Sequence, residues 1–318
     1  MQILKFKMTY PSYFNSKKSL DLFGLFKDFN FLKDLYLKNK LPKVLMLSGN
    51  KGSGKSTLLN HLTHYIFDKD NYDEEKNKFD DETVFHKQFV KDIYPNIVYL
   101  DGSNLNNTKI ENIRNLKKNI SKTVIADKPR FIILDDIELF NKNSLNALLK
   151  TIEEPTSNNF FFLINNKSKP LIDTIKSRCL EIKLILNEKK RLNIIECLIK
   201  KFDTKVIIDP KIYQLTPGNF IKFNYIFDEN KISLNNNFTI NLNILLNLYK
   251  KDKTVMYMDM ILFLADSYFI NLKNKNFIKN EEIIEYKRFV FDNINKYFLY
   301  NLNQNVLLNT ISNKINNE

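Results

Sequence analysis

The residues that most clearly indicate a particular chemistry are nine consecutive positions, Gly49-Asn50-Lys51-Gly52-Ser53-Gly54-Lys55-Ser56-Thr57. They satisfy the pattern G-x-x-x-x-G-K-[ST]. Its glycines let the backbone curl so that the N–H groups face a phosphate. In that chemistry Lys55 reaches the β and γ phosphates, and the Ser56 hydroxyl is a ligand of Mg²⁺. The motif therefore predicts an ATP and Mg²⁺ site, with the nucleotide-binding residues Gly49, Gly52, Gly54, Lys55, Ser56 and Thr57.

Two carboxylates downstream belong to the same chemistry. Asp135 and Asp136 follow the apolar run Phe131–Leu134, and a strand that ends in acids sets a carboxylate beside a phosphate loop. Asp135 is the candidate that holds Mg²⁺ directly or through water, and Asp136 is the candidate that polarises an attacking water. An isolated acidic pair after a strand is usually a turn or a helix cap, so this interpretation depends on the phosphate loop.

The elements that must position these residues are short strands that alternate with helices. Apolar runs rich in β-branched and aromatic residues occur at Val44–Leu47, Ile97–Leu100, Phe131–Leu134, Phe160–Ile164 and Ile182–Leu186. Runs of this kind predict a buried parallel sheet with flanking helices. An α/β fold of this type binds ligands at the carboxyl ends of its strands, where the predicted helix Thr57–Ile66 also begins.

The second half of the chain changes to helical spacing. The residues that share helix faces are Leu192, Ile195, Leu198 and Ile199 in one segment and Leu242, Leu245, Leu246 and Tyr249 in another. A turn at Thr216-Pro217-Gly218 lies within the first helical block, and a polar stretch at Asp228–Asn237 separates it from the last. We therefore expect three domains, at residues 1–186, 187–237 and 238–318, of which the last two are helical.

One helix of the last domain resembles a membrane span in length and composition. Val255–Leu272 is apolar throughout most of its length, but it carries Asp259 and Asp266. Each carboxylate on a spanning helix would raise the free energy of membrane insertion by roughly 2.5 to 3.5 kcal/mol, whereas a core helix of a helical bundle can place both on its solvent-exposed edge. We expect a core helix and no membrane association.

Composition excludes several classes of protein. Hydrophobic residues make up 43% of the 318 positions and charged residues 27%, which excludes collagen-like and broadly disordered chains. Cys179 and Cys197 cannot form a disulfide framework, and no signal peptide opens the sequence, so we expect a cytoplasmic protein. The net charge of +13 favours contact with nucleic acid, although part of it reflects a general bias toward lysine and asparagine.

Two further motifs give the sequence a family resemblance. Ser144-Leu145-Asn146-Ala147-Leu148-Leu149-Lys150-Thr151-Ile152-Glu153-Glu154-Pro155 precedes Phe160–Asn166, and Ser177-Arg178-Cys179 comes next. In this order and spacing they resemble the clamp-loader AAA+ proteins of bacterial DNA polymerase III, most closely the delta-prime branch of that family. The resemblance covers about residues 10–185, and the helical remainder matches in layout more than in residues.

The resemblance implies a fold, a machine and two further site residues. The fold would be an AAA+ P-loop domain followed by a helical lid and an all-α collar. The machine would be a pentamer with gamma/tau-like and delta-like subunits that uses ATP to place a sliding clamp on primed DNA. Arg178 would be an arginine finger that reaches, in trans, the ATP of a neighbouring subunit. Asn166, in preference to Asn165, would be the first sensor of the γ phosphate.

Three departures from the family pattern bear on activity. The cysteine-rich zinc module of the family is absent, because Asp68–Tyr94 contains no cysteine, so no zinc is expected. Asp136 stands where active members carry Glu. Its shorter side chain leaves the carboxylate one methylene short of the attacking water. Asn219 stands where hydrolysing members carry the second-sensor Arg. The last two changes weaken the case for hydrolysis more than the case for ATP binding.

Three functions therefore remain open. The first is a stator that completes a neighbour's ATPase site through Arg178 and binds ATP itself with weak or no hydrolysis. The second is an ATP-hydrolysing motor subunit, which the complete loop Gly49–Thr57 keeps open. The third is an unrelated P-loop protein that remodels nucleic acid, such as a helicase loader, and the two family motifs disfavour it.

Overall fold

The computed structural model describes residues 10–103, 128–235, 237–275 and 280–316. They form two compact units, one of Met1–Leu198 with Thr216–Asn219 and one of Ile199–Leu215 with Phe220–Glu318. The three domains expected from the sequence, with boundaries at 186 and 237, stay a prediction.

A five-stranded parallel sheet forms the centre of the first unit. Its strands are β1 (Val44–Ser48), β4 (Ile97–Asp101), β5 (Arg130–Asp135), β6 (Asn159–Asn165) and β7 (Leu180–Lys183), and β2 (Tyr72–Asp73) pairs separately with β3 (Lys78–Phe79) in antiparallel fashion. The order across the sheet is β4-β5-β6-β1-β7. All five residues of β1 are buried, as expected for a strand covered on both faces. The predicted parallel sheet is thus confirmed.

The last strand differs from its predicted extent. The apolar run Ile182–Leu186 predicts β7, but the strand runs from Leu180 to Lys183. Beyond it, the backbone N–H of Leu184 still donates to the carbonyl of Ser48 at 2.7 Å, and the chain then leaves the sheet. Ile185 is exposed, so its apolar side chain does not mark a buried strand.

Helices cover both faces of this sheet. Those that begin in the first unit are α1 (Phe26–Leu37), α2 (Lys55–Phe67), α3 (Val84–Val90), α4 (Lys142–Glu153), α5 (Asp173–Lys176) and α6 (Glu188–Phe202). Leu45 and Leu47 belong to a core that includes Leu58 and Leu62 of α2. Met46 points to the opposite core, which includes Leu148 of α4. Alternate residues of β1 therefore enter two separate cores, one on each side of the sheet.

The second unit is helical in its described residues. It contains most of α7 (Pro217–Glu229) together with α8 (Phe238–Asp252), α9 (Val255–Lys275), α10 (Asn280–Tyr300) and α11 (Gln304–Asn316). α9 packs against α8 and α10, and α11 packs against α10 and α8. The predicted helical second half is thus confirmed. At the expected turn Thr216-Pro217-Gly218, α7 already begins at Pro217, a position that proline favours at a helix start.

α9 is the helix whose length and composition would also suit a membrane span. Val255–Asn274 has a mean hydropathy of 1.3. Its residues Tyr257, Met260 and Ile261 are fully buried within the second unit. Asp266 forms an ion pair with Lys287 of α10, which gives this carboxylate a partner at the surface. The packing supports the core-helix interpretation.

Candidate functional site

The candidate site lies where four parallel strands end. Ser48 of β1 pairs in register with Asn165 of β6, and Asp135 ends β5 beside Asp101 of β4. The phosphate loop continues from β1, and its first amide, that of Gly49, donates to the carbonyl of Asn165 at 3.2 Å. The sheet therefore brings the loop and the acidic strand end to the same edge, as the sequence predicts.

The loop has the backbone that its glycines allow. Gly52 and Gly54 adopt positive φ angles of 80° and 96°, a region that side chains disfavour. A Cβ at Gly54 would lie 2.7 Å from Leu25 Cδ1, so this segment also packs too closely for a side chain. Lys55, Ser56 and Thr57 form the start of α2, and the free N–H groups of a helix start favour an anion.

Lys55 is enclosed by the loop that it would serve. Its side chain is buried, and its Nζ donates to the carbonyls of Gly49 at 2.6 Å and Asn50 at 2.9 Å. Burial lowers the pKa of Lys55 to about 8, although the nearby carboxylates Asp135, Glu138 and Asp136 oppose this shift. In this structure the ammonium group is therefore held by carbonyl groups of its own loop.

Ser56 and Asp135, the two candidate magnesium ligands, are in direct contact. The Ser56 hydroxyl donates to Asp135 Oδ2 at 3.2 Å, and the Tyr99 hydroxyl donates to the same oxygen at 2.7 Å. Burial raises the pKa of the Asp135 carboxyl to about 6, the charges of Asp136 and Asp101 add to the rise, and the Tyr99 hydrogen bond opposes it. A hydroxyl beside a carboxylate is an all-oxygen donor set, which fits Mg²⁺.

The candidate catalytic acid and the candidate first sensor are also joined. Asn166 Nδ2 donates to Asp136 Oδ1 at 2.5 Å. Asp136 itself is buried and has a positive φ of 50°. Glu138, which the motif analysis missed, is buried and accepts from the backbone N–H groups of Asn166 and Ser168. Of the two sensor candidates, Asn166 is therefore the one whose side chain reaches Asp136.

The segment that carries the second-sensor position rests on the phosphate loop. The Thr216 hydroxyl donates to the carbonyl of Lys51 at 2.6 Å, and the backbone N–H of Gly218 donates to the carbonyl of Gly52 at 2.8 Å. A Cβ at Gly52 would lie 2.9 Å from Asn219 Oδ1. Asn219 thus stands beside the loop with a neutral side chain.

Arg178 has no contact with this group of residues. Its guanidinium contacts Glu153 through Nε, and its other contacts are with the Thr174 carbonyl at 2.8 Å and the Ser177 hydroxyl at 3.2 Å. One third of its side chain is exposed. Within the described part of the chain, the structure brings the other predicted site residues to one sheet edge and leaves Arg178 outside.

The segment Asp68–Tyr94, which contains no cysteine, packs against two histidines of α2. His64 Nε2 lies 3.0 Å from His86 Nδ1, and the His64 ring stacks on Phe79. Burial lowers the pKa of His61 and of His64 to about 3. Residues 10–103, 128–235, 237–275 and 280–316 contain no group of three or more His, Cys, Asp or Glu placed to hold a metal.

An open groove beside the loop is a second feature that motif analysis missed. It has a volume of about 430 Å³ and is lined by residues of the first unit, Gly24, Phe26, Asn187, Lys189, Lys190, Asn193, Ile194 and Cys197. Leu25, between two of these residues, contacts Gly54 of the loop. Its lining combines apolar residues with asparagines and lysines, and it opens broadly to solvent.

A parallel sheet, a glycine-rich loop at a helix start, a buried lysine and a strand-end carboxylate define the class of P-loop α/β folds. A structural likeness supports this class. The DNA polymerase III gamma-subunit-related protein of Thermotoga maritima aligns with a TM-score of 0.50 at 15% identity, over 88% of this chain and 96% of that one. At that identity the likeness shows the fold alone.

The family follows from the sequence comparisons. The family model described as DNA polymerase III, delta subunit, matches residues 27–187, just over half of the chain. The chain belongs to this family, and the predicted clamp-loader AAA+ resemblance and fold class are confirmed.

Curated relatives carry two different subunit names. The chain is 31% identical to DNA polymerase III subunit delta' of Buchnera aphidicola subsp. Schizaphis graminum over 199 residues, or 60% of each protein. It is 28% identical to the subunit gamma of the same organism over 163 residues, which are 51% of this chain and 44% of that one. The chain thus spans only about half of the length of these relatives.

Proposed function

We propose that this chain is a clamp-loader subunit of a replicative DNA polymerase, of the delta-prime kind, and that it acts as a stator. Arg178 is then the finger that completes the ATP site of a neighbouring subunit. The observation that carries this proposal is the placement of Arg178, which contacts Glu153, Thr174 and Ser177 and is partly exposed. A guanidinium outside its own phosphate site is available to another one.

The chain's own site is proposed to bind ATP and to hydrolyse it weakly or not at all. Lys55 and the loop amides bind the phosphates, and Ser56 with Asp135 holds the accompanying Mg²⁺. The ion, when bound, neutralises phosphate charge. Binding of this kind needs no residue that the chain lacks.

Turnover is limited by two residues in this proposal. Asp136 is one methylene shorter than the glutamate of active members and its carboxylate is hydrogen bonded by Asn166, which leaves it less able to orient a water. Asn219 supplies no cation to the phosphates. These two positions favour the stator over the motor.

The partners follow from the same proposal. They are gamma/tau-like and delta-like subunits in a hetero-pentamer, the sliding clamp and primed DNA, and the location is the cytoplasm. The net charge of +13 supports contact with DNA. The last helical segment, residues 238–318, is proposed as the collar through which the subunits assemble.

A motor subunit is the alternative function. The complete loop Gly49–Thr57 and the 28% identity to a gamma subunit favour it. An unrelated P-loop remodeller of nucleic acid has no such support, because the family match covers the motifs that distinguish clamp loaders.

ATP hydrolysis by purified proteins separates stator from motor. The chain alone and its mixture with the motor subunit are assayed as wild type, Arg178→Ala and Lys55→Ala. A stator gives no turnover alone, and Arg178→Ala lowers the activity of the mixture, by as much as roughly 10³-fold at the one site that the finger serves. Lys55→Ala leaves the mixture active.

The control is Lys87→Ala, which removes an exposed lysine that pairs with Glu82 in the first unit, outside the proposed collar, and should leave the mixture unchanged. Turnover by the chain alone that Lys55→Ala abolishes would establish the motor function instead. An unchanged mixture with Arg178→Ala would remove the finger from the proposal.

A further inference from the structure

Tyr99 of β4 belongs to no recognised motif, yet it contacts the candidate magnesium ligand. Its hydroxyl donates to Asp135 Oδ2 at 2.7 Å, a short and well-formed bond to a carboxylate. The two residues are 36 positions apart and meet because β4 and β5 are neighbours in the sheet.

The hydrogen bonds of Asp135 divide between its two oxygens. Oδ1 accepts from the backbone N–H of Asp136 at 2.9 Å, and Oδ2 accepts from Tyr99 at 2.7 Å and from Ser56 at 3.2 Å. The bond from Tyr99 is the shortest of the three. It is made to Oδ2, the same oxygen that accepts from the Ser56 hydroxyl.

The Tyr99 ring is itself held by a buried cation. Lys17 Nζ lies 4.2 Å from the centroid of the ring, within the range of a cation–π contact. Lys17 is buried and forms an ion pair with Asp92, so the cation has a fixed place. The contact with Lys17 therefore restrains one face of the Tyr99 ring and keeps its hydroxyl in place beside Asp135.

We infer that Tyr99 is a positioning residue for magnesium: it orients the Asp135 carboxylate so that Asp135 and Ser56 present their oxygens to one ion. This inference rests on the proposed binding of Mg²⁺ and ATP. It adds a residue from β4 to a site otherwise built from the phosphate loop and β5. Partners that orient a metal ligand contribute to metal affinity without touching the metal.

Nucleotide binding with and without magnesium tests the inference. The full chain is titrated with mant-ATP in excess MgCl₂ and again in EDTA, and the ratio of the two affinities is the magnesium contribution. Tyr99→Phe keeps the ring and removes the hydroxyl, so it should reduce this ratio roughly 10-fold. The affinity in EDTA should stay unchanged, which a general loss of structure would not allow.

Two variants accompany it. Tyr94→Phe is the matched control, because the Tyr94 ring packs against Phe67 and Phe85, and it should leave the ratio unchanged. Lys17→Met keeps the Tyr99 hydroxyl but frees the ring, so it should lower the ratio less than Tyr99→Phe does. Melting without nucleotide checks that each variant is folded.

The outcomes separate the inference from the proposed function. A wild type that binds more tightly with Mg²⁺ and a Tyr99→Phe variant with the same ratio would overturn the inference alone. A wild type that binds mant-ATP in neither condition would overturn the proposed nucleotide binding, and the inference with it. If Tyr99→Phe does not fold, Lys17→Met takes its place in the test. An unchanged ratio in Lys17→Met then overturns the arrangement in which Lys17 holds the Tyr99 ring so that its hydroxyl orients Asp135.

Discussion

The candidate site contains two groups of residues that differ in how well they suit their chemistry. The binding group, Lys55, Ser56 and Asp135, has the residue types that hold a phosphate and Mg²⁺, and the structure places Ser56 against Asp135. The turnover group is Asp136, Asn166 and Asn219. It has a shortened acid and a neutral residue in place of a cation. The proposed function thus assigns ATP binding and ATP cleavage to separate residues, and it expects binding without rapid cleavage.

Lys55→Ala provides the largest test of the binding group. The variant removes the ammonium group that would form charge-assisted hydrogen bonds to the phosphates, each worth roughly 1.5 to 3 kcal/mol. We expect the affinity for mant-ATP to fall by about 100-fold or more, for two such bonds. Fluorescence titration of the folded protein measures it.

The matched control is Lys87→Ala, which removes an exposed lysine that pairs with Glu82 in the same unit. It should bind as the wild type does. Equal affinity in Lys55→Ala and the wild type would mean that the binding group holds no phosphate, and the contrast with the turnover group would lose its basis.

The pH dependence of binding is a smaller test of the same group. The pKa of Lys55 is lowered to about 8 in the folded protein, so the amine keeps its proton below that pH and loses it above. Because phosphate binding uses the charged form, the affinity should hold steady near pH 7 and fall about 10-fold by pH 9. Titration with mant-ATP across this range measures the change.

Lys55→Ala supplies the comparison for this series, since a variant without the amine should show no such decline. An affinity in the wild type that stays level up to pH 9 would indicate that the ammonium is less enclosed than its contacts with Gly49 and Asn50 imply.

Asn219→Arg gives the smallest expected effect and addresses the turnover group. Asn219 already lies against Gly52 of the loop, so an arginine there begins beside the phosphate site. The added charge-assisted hydrogen bond, reduced to a net value of about 1 kcal/mol by the cost of ordering a long side chain, would tighten ATP binding about fivefold. Hydrolysis should remain weak, because Asp136 is unchanged. Affinity and turnover are measured on the same preparation.

Asn158→Arg adds the same charge at an exposed position of the first unit and controls for general attraction of ATP. Rapid hydrolysis by Asn219→Arg alone would contradict the expectation that Asp136 keeps hydrolysis weak. It would show that the missing cation, and not the shortened acid, separates this chain from a motor.

The phosphate loop and the sheet can be predicted from the sequence because their signals are local. Gly49–Thr57 is contiguous, and each buried strand appears as its own apolar run. The strand-end acids follow directly from the run Phe131–Leu134. The joining of Ser56 to Asp135 then follows from topology, since parallel strands end at one edge.

Other contacts of the site cannot be predicted in this way. Tyr99 and Asp135 lie on different strands, and the apolar run Ile97–Leu100 gives no sign that its tyrosine donates to a carboxylate. Glu138 likewise meets Asn166 across 28 positions. These contacts depend on side-chain directions at the edge of the sheet, which periodicity does not encode.

Gly52 is enclosed by residues of its own chain. A Cβ there would lie 2.5 Å from Thr216 Oγ1 and 2.8 Å from the backbone nitrogen of Asn219, closer than packed atoms can approach. A lineage that stopped using ATP would therefore still select against alanine at Gly52, because the substitution would distort the segment that rests on the loop. Conservation of this glycine would therefore have two causes, close packing as well as nucleotide binding.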